Sequence, residues 1–263
     1  MGRTAAVLAL AMLLVAPSCT SPSDAGSDAG DGSDPSGSTT VVVLAAASLT
    51  DVADDLVDAF SDLEPDLDVV VSTGGSSSLA VSIEEGAPAD VFASASDEVM
   101  AGLVDQGLVD GEPVEFATNE LVIAVPVDGA SGDAVTSLAD FSRDDLALGA
   151  CAPQVPCGSY ADEALDAAGV VASFDTRDPD VRAVVTKLLA GELDAGIVYA
   201  TDVAAFPDDL RAVEIPDDVA PTASYPVAVL AESEHPDDAR RFVDFLTSET
   251  ARSVLADAGF GAP

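Results

Sequence analysis

From residue 41 onward the chain alternates apolar runs with segments whose apolar residues recur at helical spacing. The run Val41–Ala47 is typical of a strand buried on both faces, and Val52, Leu56 and Phe60 then share one helical face. The same patterns predict further strands at 68–71, 91–93, 121–125, 146–150, 195–199 and 227–230, and helices after 75 and at 98–107, 159–168, 179–190, 237–247 and 249–258. This alternation predicts an α/β fold of mostly parallel sheets flanked by helices.

The N-terminus predicts an exported protein. Arg3 precedes the apolar run Ala5–Val15, which is too short to span a bilayer but suits the core of a signal peptide. The run ends in Ala16-Pro17-Ser18-Cys19, which resembles a bacterial lipoprotein signal, although Pro17 departs from the usual pattern. We therefore expect a signal peptide at 1–18 and lipidation at Cys19; the alternative is an ordinary secretory signal.

Residues 20–40 are almost wholly Ser, Asp, Gly, Pro and Thr, which cannot build a core. We expect 19–39 to comprise the lipidated cysteine and a flexible tether. The protein would then lie at the outer face of the cytoplasmic membrane, or alternatively be periplasmic or secreted.

The formal net charge of −39 comes from 48 acidic and 9 basic residues. Such a surface repels a phosphate backbone, so no nucleic-acid partner is expected. Net charge bears on solubility and association rather than on fold, and a solvated acidic surface accounts for it. No Asp-rich calcium-loop pattern is present.

The three cysteines indicate one disulfide. If Cys19 carries lipid, Cys151 and Cys157 remain as an even pair outside the cell, where disulfides persist. We predict that these two are bonded. His235 is the only histidine and no fourth cysteine exists, so no protein-ligated metal cation is expected.

Four predicted strand-to-helix junctions carry small hydroxyl residues or bare backbone: Ala47–Thr50, Gly75–Ser78, Val155–Ser159 and Asp178–Val181. The first N–H groups of a helix lack intrahelical partners and carry partial positive charge, so they can bind an anion without a formal cation. The plainer interpretation is that the serines and threonines only cap helices. Ligands of such folds lie at the carboxyl ends of the strands, which favours the anion site.

Catalysis is a weaker hypothesis. A hydrolase using Ser76 or Ser77 as nucleophile would need a base, but His235 precedes Pro236 at a predicted helix start and no Gly-x-Ser-x-Gly motif exists. Gly74-Gly75-Ser76 lacks the lysine of a nucleotide-binding loop. A structural surface lipoprotein is a third class, in which the donors at the strand ends would be coincidental.

Seven separated stretches between about residues 40 and 260 form a recognisable set: Leu44–Thr50, Gly75–Ala80, Gly86–Phe92, Val155–Tyr160, Asp180–Arg182, Gly196–Asp202 and Tyr225–Val229. In order and spacing they closely resemble the molybdate-binding proteins of bacterial ABC importers, which have a type II periplasmic-binding-protein-like fold. The resemblance implies two lobes, one from 40–119 plus 227–263 and the other from 120–226, with the ligand in the cleft between them.

The resemblance also implies the site. Carried over by motif, the oxyanion would be bound by hydroxyls and amides of Ser48 and Ser76, backbone amides of Cys157 and Val181, and the phenol of Tyr199. The family often has Ala where this chain has Cys157, so only its N–H would be used. A pocket of donors without a carboxylate suits a fully deprotonated tetrahedral dianion and disfavours a protonated phosphate, whose proton would lack an acceptor.

We therefore expect a binding protein and not an enzyme. Its ligand would be molybdate or the nearly isosteric tungstate, with sulfate or another small tetrahedral oxyanion as the alternative. No cofactor is expected. The expected partners are the permease subunits of an ABC importer and, through Cys19, the membrane; the protein would be a monomer.

Overall fold

The structure is a computed structural model that describes residues 39–128, 134–216 and 218–263. The predicted signal peptide, Cys19 and the tether up to residue 38 lie outside the described residues. Within the described ranges, no helix is long and apolar enough to cross a membrane.

Nine strands and eight α-helices follow one another along the described chain. The strands are β1 (Thr39–Ala46), β2 (Leu67–Gly74), β3 (Val91–Ala93), β4 (Val109–Pro126), β5 (Leu148–Cys151), β6 (Thr176–Asp178), β7 (Ala195–Tyr199), β8 (Leu210–Glu214) and β9 (Thr222–Leu230). The helices are α1 (Ala53–Leu63), α2 (Ser76–Glu84), α3 (Asp97–Asp105), α4 (Pro156–Ala168), α5 (Val181–Leu189), α6 (Ala200–Ala204), α7 (Pro236–Leu246) and α8 (Glu249–Asp257). Two 3₁₀ turns cover Ala47–Leu49 and Leu138–Ser142.

The strands form a mixed sheet in the order β2-β1-β3-β9-β4-β7-β5-β6, with β8 also paired to β4. The pairs β1–β2, β1–β3, β5–β6 and β5–β7 are parallel. The pairs β3–β9, β4–β7, β4–β8 and β4–β9 are antiparallel. The predicted α/β class is confirmed, and the antiparallel pairings all involve β4 or β9.

Strand β4 is long enough to belong to two sheet regions. Its residues Val109 to Glu120 pair with β9, whereas Leu121 to Pro126 pair with β7 and β8. The change of partner falls next to the boundary at residue 120 that the sequence predicts between two lobes. The described residues form one compact unit, so the division into lobes stays a prediction.

Helices cover both faces of the sheet around β1. Val41, Val43 and Ala45 belong to the larger core cluster, whereas Leu44 points into a second cluster with Phe92 and residues of α2 and α3. This alternation follows from the period of two along a strand. Because both faces are buried, the strand reads as a continuous apolar run, as the sequence predicted.

Phenylalanines anchor the helices α1 and α7 to each other. The ring centroid of Phe60 lies 5.2 Å from that of Phe242 and 5.3 Å from that of Phe245. All three are buried in a core that is otherwise rich in Ala, Val and Leu. Phe60→Ala would remove a fully buried ring, at a cost of about 3–5 kcal/mol in the free energy of unfolding.

The sequence pattern missed the shorter and more polar elements. The first half of β4, together with β6, β8 and α6, was not predicted because these segments have no sustained apolar periodicity. At the predicted strand-to-helix junction Ala47–Thr50, the structure has a 3₁₀ turn at Ala47–Leu49, and α1 begins only at Ala53.

Candidate functional site

The carboxyl ends of five strands converge on one small cavity. β1 leads into the 3₁₀ turn, β2 into α2, β5 into α4 and β6 into α5, while β7 ends at Tyr199. The centre of a water-sized sphere can move through about 20 Å³ of this cavity. The space therefore suits a small ion.

All five predicted site residues line this cavity. It is bounded by Ala46, Ala47, Ser48, Gly75, Ser76, Ala95, Val155, Pro156, Cys157, Asp180, Val181 and Tyr199. The structure thus brings together residues from Ser48 to Tyr199 that are distant along the chain. Their binding roles remain a prediction.

Backbone donors come from helix N-termini. Ser76 and Val181 are the first residues of α2 and α5, and Cys157 is the second residue of α4. N–H groups in the first turn of a helix have no intrahelical partner and carry partial positive charge. Three helices of 9, 13 and 9 residues therefore begin at the cavity, an arrangement that favours an anion.

The two cavity serines are buried, and each hydroxyl oxygen already has a protein partner. The Ala95 N–H donates to Ser76 Oγ at 3.1 Å. Ser48 Oγ lies 2.7 Å from the Tyr225 hydroxyl. A serine hydroxyl has one proton and two lone pairs, so a bond accepted from Ala95 leaves the Ser76 proton free to donate.

Tyr199 contributes a hydroxyl without a partner. The residue is 1% exposed, and its hydroxyl oxygen makes no hydrogen bond within the described part of the chain. Burial raises the pKa of Tyr199 well above its usual value, so the phenol stays protonated and can act as a donor. An unpartnered buried hydroxyl costs about 1–3 kcal/mol, and a bound anion would remove that cost.

A disulfide fixes the loop before α4. Cys151 at the end of β5 is bonded to Cys157, with the Cα atoms 5.6 Å apart, which confirms the predicted pair. Gly158 allows the first turn of α4 to approach the backbone of Ala152 closely, because a Cβ at Gly158 would lie 1.9 Å from the Ala152 carbonyl oxygen. Strand end, disulfide and glycine together fix the position of the Cys157 N–H at the cavity.

One residue that borders the cavity, Asp180, is acidic. Asp180 caps α5, where its Oδ1 accepts from the Ala183 N–H at 2.9 Å. The nearby Arg182 is paired with Asp51 at 2.5 Å. The capping bond explains why an acidic residue is tolerated at this position.

Asp202 lies in the first turn of α6, which begins directly after Tyr199, and is buried without lining the cavity. Its Oδ2 accepts from the Tyr199 N–H at 3.0 Å, and its Oδ1 has no partner among the described residues. Burial raises the pKa of Asp202 to about 7, against lowering by the Tyr199 hydrogen bond and by Arg182. Asp202 is part of the stretch Gly196–Asp202 that resembles the family, but an acidic residue is not expected to be buried, so the sequence did not indicate this position.

The structure separates His235 from the serines that a hydrolase would use. His235 borders a different cavity together with Thr40, near the first residue of β1. Ser76 and Ser77 instead follow Gly74, the last residue of β2, which pairs with Ala46 at the other end of β1. Ser77 Oγ donates to the Gln154 carbonyl at 2.8 Å. The alternative of a hydrolase with His235 as base is therefore excluded by position.

A larger groove of about 510 Å³ lies beside α1, α6 and α8. Its lining includes Asp51, Asp55 and Asp257, whose charge disfavours an anion. Within the described ranges, no group of three or more His, Cys, Asp or Glu residues is arranged to bind a metal ion.

The fold is that of the periplasmic binding proteins. The substrate-binding domain of a putative molybdenum ABC transporter from Clostridium difficile superimposes with a TM-score of 0.64 at 26% identity, covering 86% of this chain and 100% of that one. The periplasmic molybdate-binding protein of Azotobacter vinelandii gives a TM-score of 0.71 at 19% identity, covering 85% and 99%.

The chain belongs to the bacterial extracellular solute-binding proteins, whose family model matches residues 41–261. The molybdate-binding protein ModA of Mycobacterium tuberculosis is 35% identical over 247 residues, 93% of this chain and 92% of the relative. The putative ABC transporter substrate-binding lipoprotein YvgL of Bacillus subtilis is 30% identical over 228 residues, 85% and 86% of the two chains.

Proposed function

We propose that this protein binds molybdate, or the nearly isosteric tungstate, and delivers it to an ABC importer. The observation that carries the proposal is the small cavity lined by helix N-termini and buried hydroxyls, one of which, on Tyr199, has no partner in the described chain. Relatives and structural neighbours named for molybdate or molybdenum support the choice of oxyanion.

In this proposal five residues bind the oxyanion. Ser48 and Ser76 donate from their hydroxyls, Cys157 and Val181 from their backbone amides, and Tyr199 from its phenol. Neutral donors neutralise a dianion less completely than lysines would, but in a desolvated cavity each hydrogen bond to a charged group contributes about 1.5–3 kcal/mol.

We also propose that the two predicted lobes, 40–119 plus 227–263 and 120–226, close over the ligand. Contacts across the cavity support closure. Ser77 on α2 bonds Gln154 in the loop before α4, and Arg182 on α5 pairs with Asp51 before α1. The long strand β4 would form part of the hinge, because it pairs with β9 in one region and with β7 and β8 in the other. Strand β9 would form the rest, because it crosses the predicted boundary between residues 226 and 227.

The role is binding rather than catalysis, as in the family of solute-binding proteins. Export, with lipid attachment at Cys19, would hold a monomer near the permease at the outer face of the cytoplasmic membrane. The naming of the Bacillus subtilis relative as a lipoprotein supports this part of the proposal.

Isothermal titration calorimetry tests the proposal with protein that begins after Cys19. We expect one site that binds molybdate and tungstate with similar affinity, binds sulfate more weakly and does not bind phosphate. Tighter binding of sulfate would favour the sulfate receptor, whose ligand also accepts bonds from every donor in the cavity. No heat with any of the four anions would refute the assignment to oxyanions.

A further inference from the structure

A chain of hydrogen bonds runs from strand β4 to the hydroxyl of Ser48. The Asn119 amide nitrogen donates to Thr201 Oγ1 at 2.8 Å and to the Tyr225 hydroxyl at 3.4 Å. The Tyr225 hydroxyl in turn lies 2.7 Å from Ser48 Oγ. Asn119 and Tyr225 are 2% and 0% exposed, so water does not compete for these groups.

The side-chain amide of Asn119 determines which atom donates in each of these hydrogen bonds. Asn119 Oδ1 accepts from the Glu120 N–H at 3.0 Å. The opposite amide orientation would place an NH₂ group against that N–H, so the nitrogen must face Thr201 and Tyr225. The Tyr225 oxygen therefore accepts from Asn119.

Tyr225 then has one proton and a single remaining partner. Burial raises the pKa of Tyr225, so the proton stays on the phenol. The neighbouring oxygen is Ser48 Oγ, to which this proton is donated. Among the described residues Ser48 Oγ has no other side-chain partner, so its own proton is free for an anion in the cavity.

Ser76 shows the same arrangement with a backbone donor. There the Ala95 N–H occupies a lone pair of the hydroxyl and leaves the proton to donate. Both serines of the cavity thus accept from the protein. At Ser48 the donor is a side chain, which makes the arrangement accessible to substitution.

We infer that Tyr225 and Asn119 are positioning residues that hold the Ser48 hydroxyl as a donor and thereby select a fully deprotonated oxyanion over one that carries a proton. The inference rests on the proposed function. Without the Tyr225 hydroxyl, the Ser48 lone pairs are free to accept from a protonated anion such as hydrogen phosphate. The Ser48 proton is then no longer committed to the ligand.

The test compares molybdate with inorganic phosphate at neutral pH, where every phosphate ion carries at least one proton. Molybdate affinity is measured by calorimetry and phosphate affinity by displacement of molybdate, in the unaltered protein, Tyr225→Phe, Asn119→Leu and the double variant. Tyr160→Phe is the matched control, because it also removes a tyrosine hydroxyl, but from a half-buried residue that does not line the cavity. Thermal melts confirm that each variant is folded.

We expect Tyr225→Phe to weaken molybdate binding about tenfold, which corresponds to ~1.4 kcal/mol, and to narrow the preference for molybdate over phosphate by at least that factor. Asn119→Leu should shift the preference in the same direction but add little to Tyr225→Phe, since it acts through Tyr225. Tyr160→Phe should leave the preference unchanged.

Tyr225→Phe could lower the affinities for both anions equally, or phosphate could still fail to compete with molybdate in this variant. Either result would overturn the inference but would not contradict the proposed function. Additive effects of the two substitutions would also overturn the inference, because independent residues would then be acting. Failure of the unaltered protein to bind molybdate would instead refute the proposed function.

Discussion

Substituting Tyr199 by Phe separates binding from folding, because its hydroxyl has no partner in the described chain. If the phenol donates to the oxyanion, Tyr199→Phe removes one hydrogen bond to a charged group, worth about 1.5–3 kcal/mol. At ~1.4 kcal/mol per tenfold change, the dissociation constant for molybdate should rise roughly 10- to 150-fold.

Tyr199→Phe should not destabilise the unliganded protein, although it weakens binding. In the unliganded protein the substitution breaks no protein hydrogen bond and removes a buried polar group that costs about 1–3 kcal/mol. The melting temperature without ligand should therefore be equal or higher, by about 2–4 °C for each kcal/mol recovered. The ring stays in place, so its edge contact with Tyr225, at 6.3 Å between centroids, is retained.

Calorimetric titration and thermal melts of the same preparations provide both readouts, with Tyr160→Phe as the control for loss of a phenol elsewhere. A lowered melting temperature without ligand would show that the hydroxyl has a structural partner. An unchanged dissociation constant would show that it does not contact the ligand. Either result would refute the reasoning about the cavity.

Four further predictions follow from the site and the charge. Ser76→Ala should weaken oxyanion binding by a similar factor, but should also lower stability because the Ala95 N–H loses its acceptor; calorimetry and melts check both. Replacing Cys151 and Cys157 by Ser should cost about 2–3 kcal/mol of stability in the chain-entropy model and weaken binding, and thiol titration of unreduced protein without Cys19 should find no free thiol. The pKa of Asp202 in the folded protein is about 7, above its ordinary value of 3.8. The folded state therefore binds this proton more tightly than the unfolded chain, and the stability that this provides should be lost as the pH rises from about 4 to 7. Thermal melts of Asp202→Asn should not show that loss. Because of the net charge of −39, both the association rate and the melting temperature should rise with NaCl; association that slows steadily in a stopped-flow series would indicate a locally positive cleft.

Much of the fold could be predicted because its buried strands have a strong periodic signal. Val41–Ala47 reads as a strand because both of its faces are covered, and the structure places β1 at Thr39–Ala46. Strands of few residues, such as Thr176–Asp178, carry too little pattern to be recognised. The extent of β4 was missed for a different reason, since its first half is largely polar and exposed.

Candidate site residues could be predicted where motif and local geometry coincide. Ser76 and Val181 begin helices directly after strands, so their sequence position already implied free N–H groups. The hydrogen bonds from Asn119 through Tyr225 to Ser48 could not be predicted, because each joins residues that are more than 100 positions apart in the sequence. Only the three-dimensional structure shows that Tyr225, although part of a matching stretch, lies against Ser48.

A crystal structure of the mature protein grown with molybdate, using anomalous scattering from molybdenum, tests the central claim most directly. The account predicts one anomalous peak in the cavity between Ser48 and Tyr199, with oxyanion oxygens within hydrogen-bond distance of the Cys157 and Val181 backbone nitrogens. A peak in the acidic groove beside Asp51 and Asp257, or no peak in a protein that binds molybdate in solution, would contradict it.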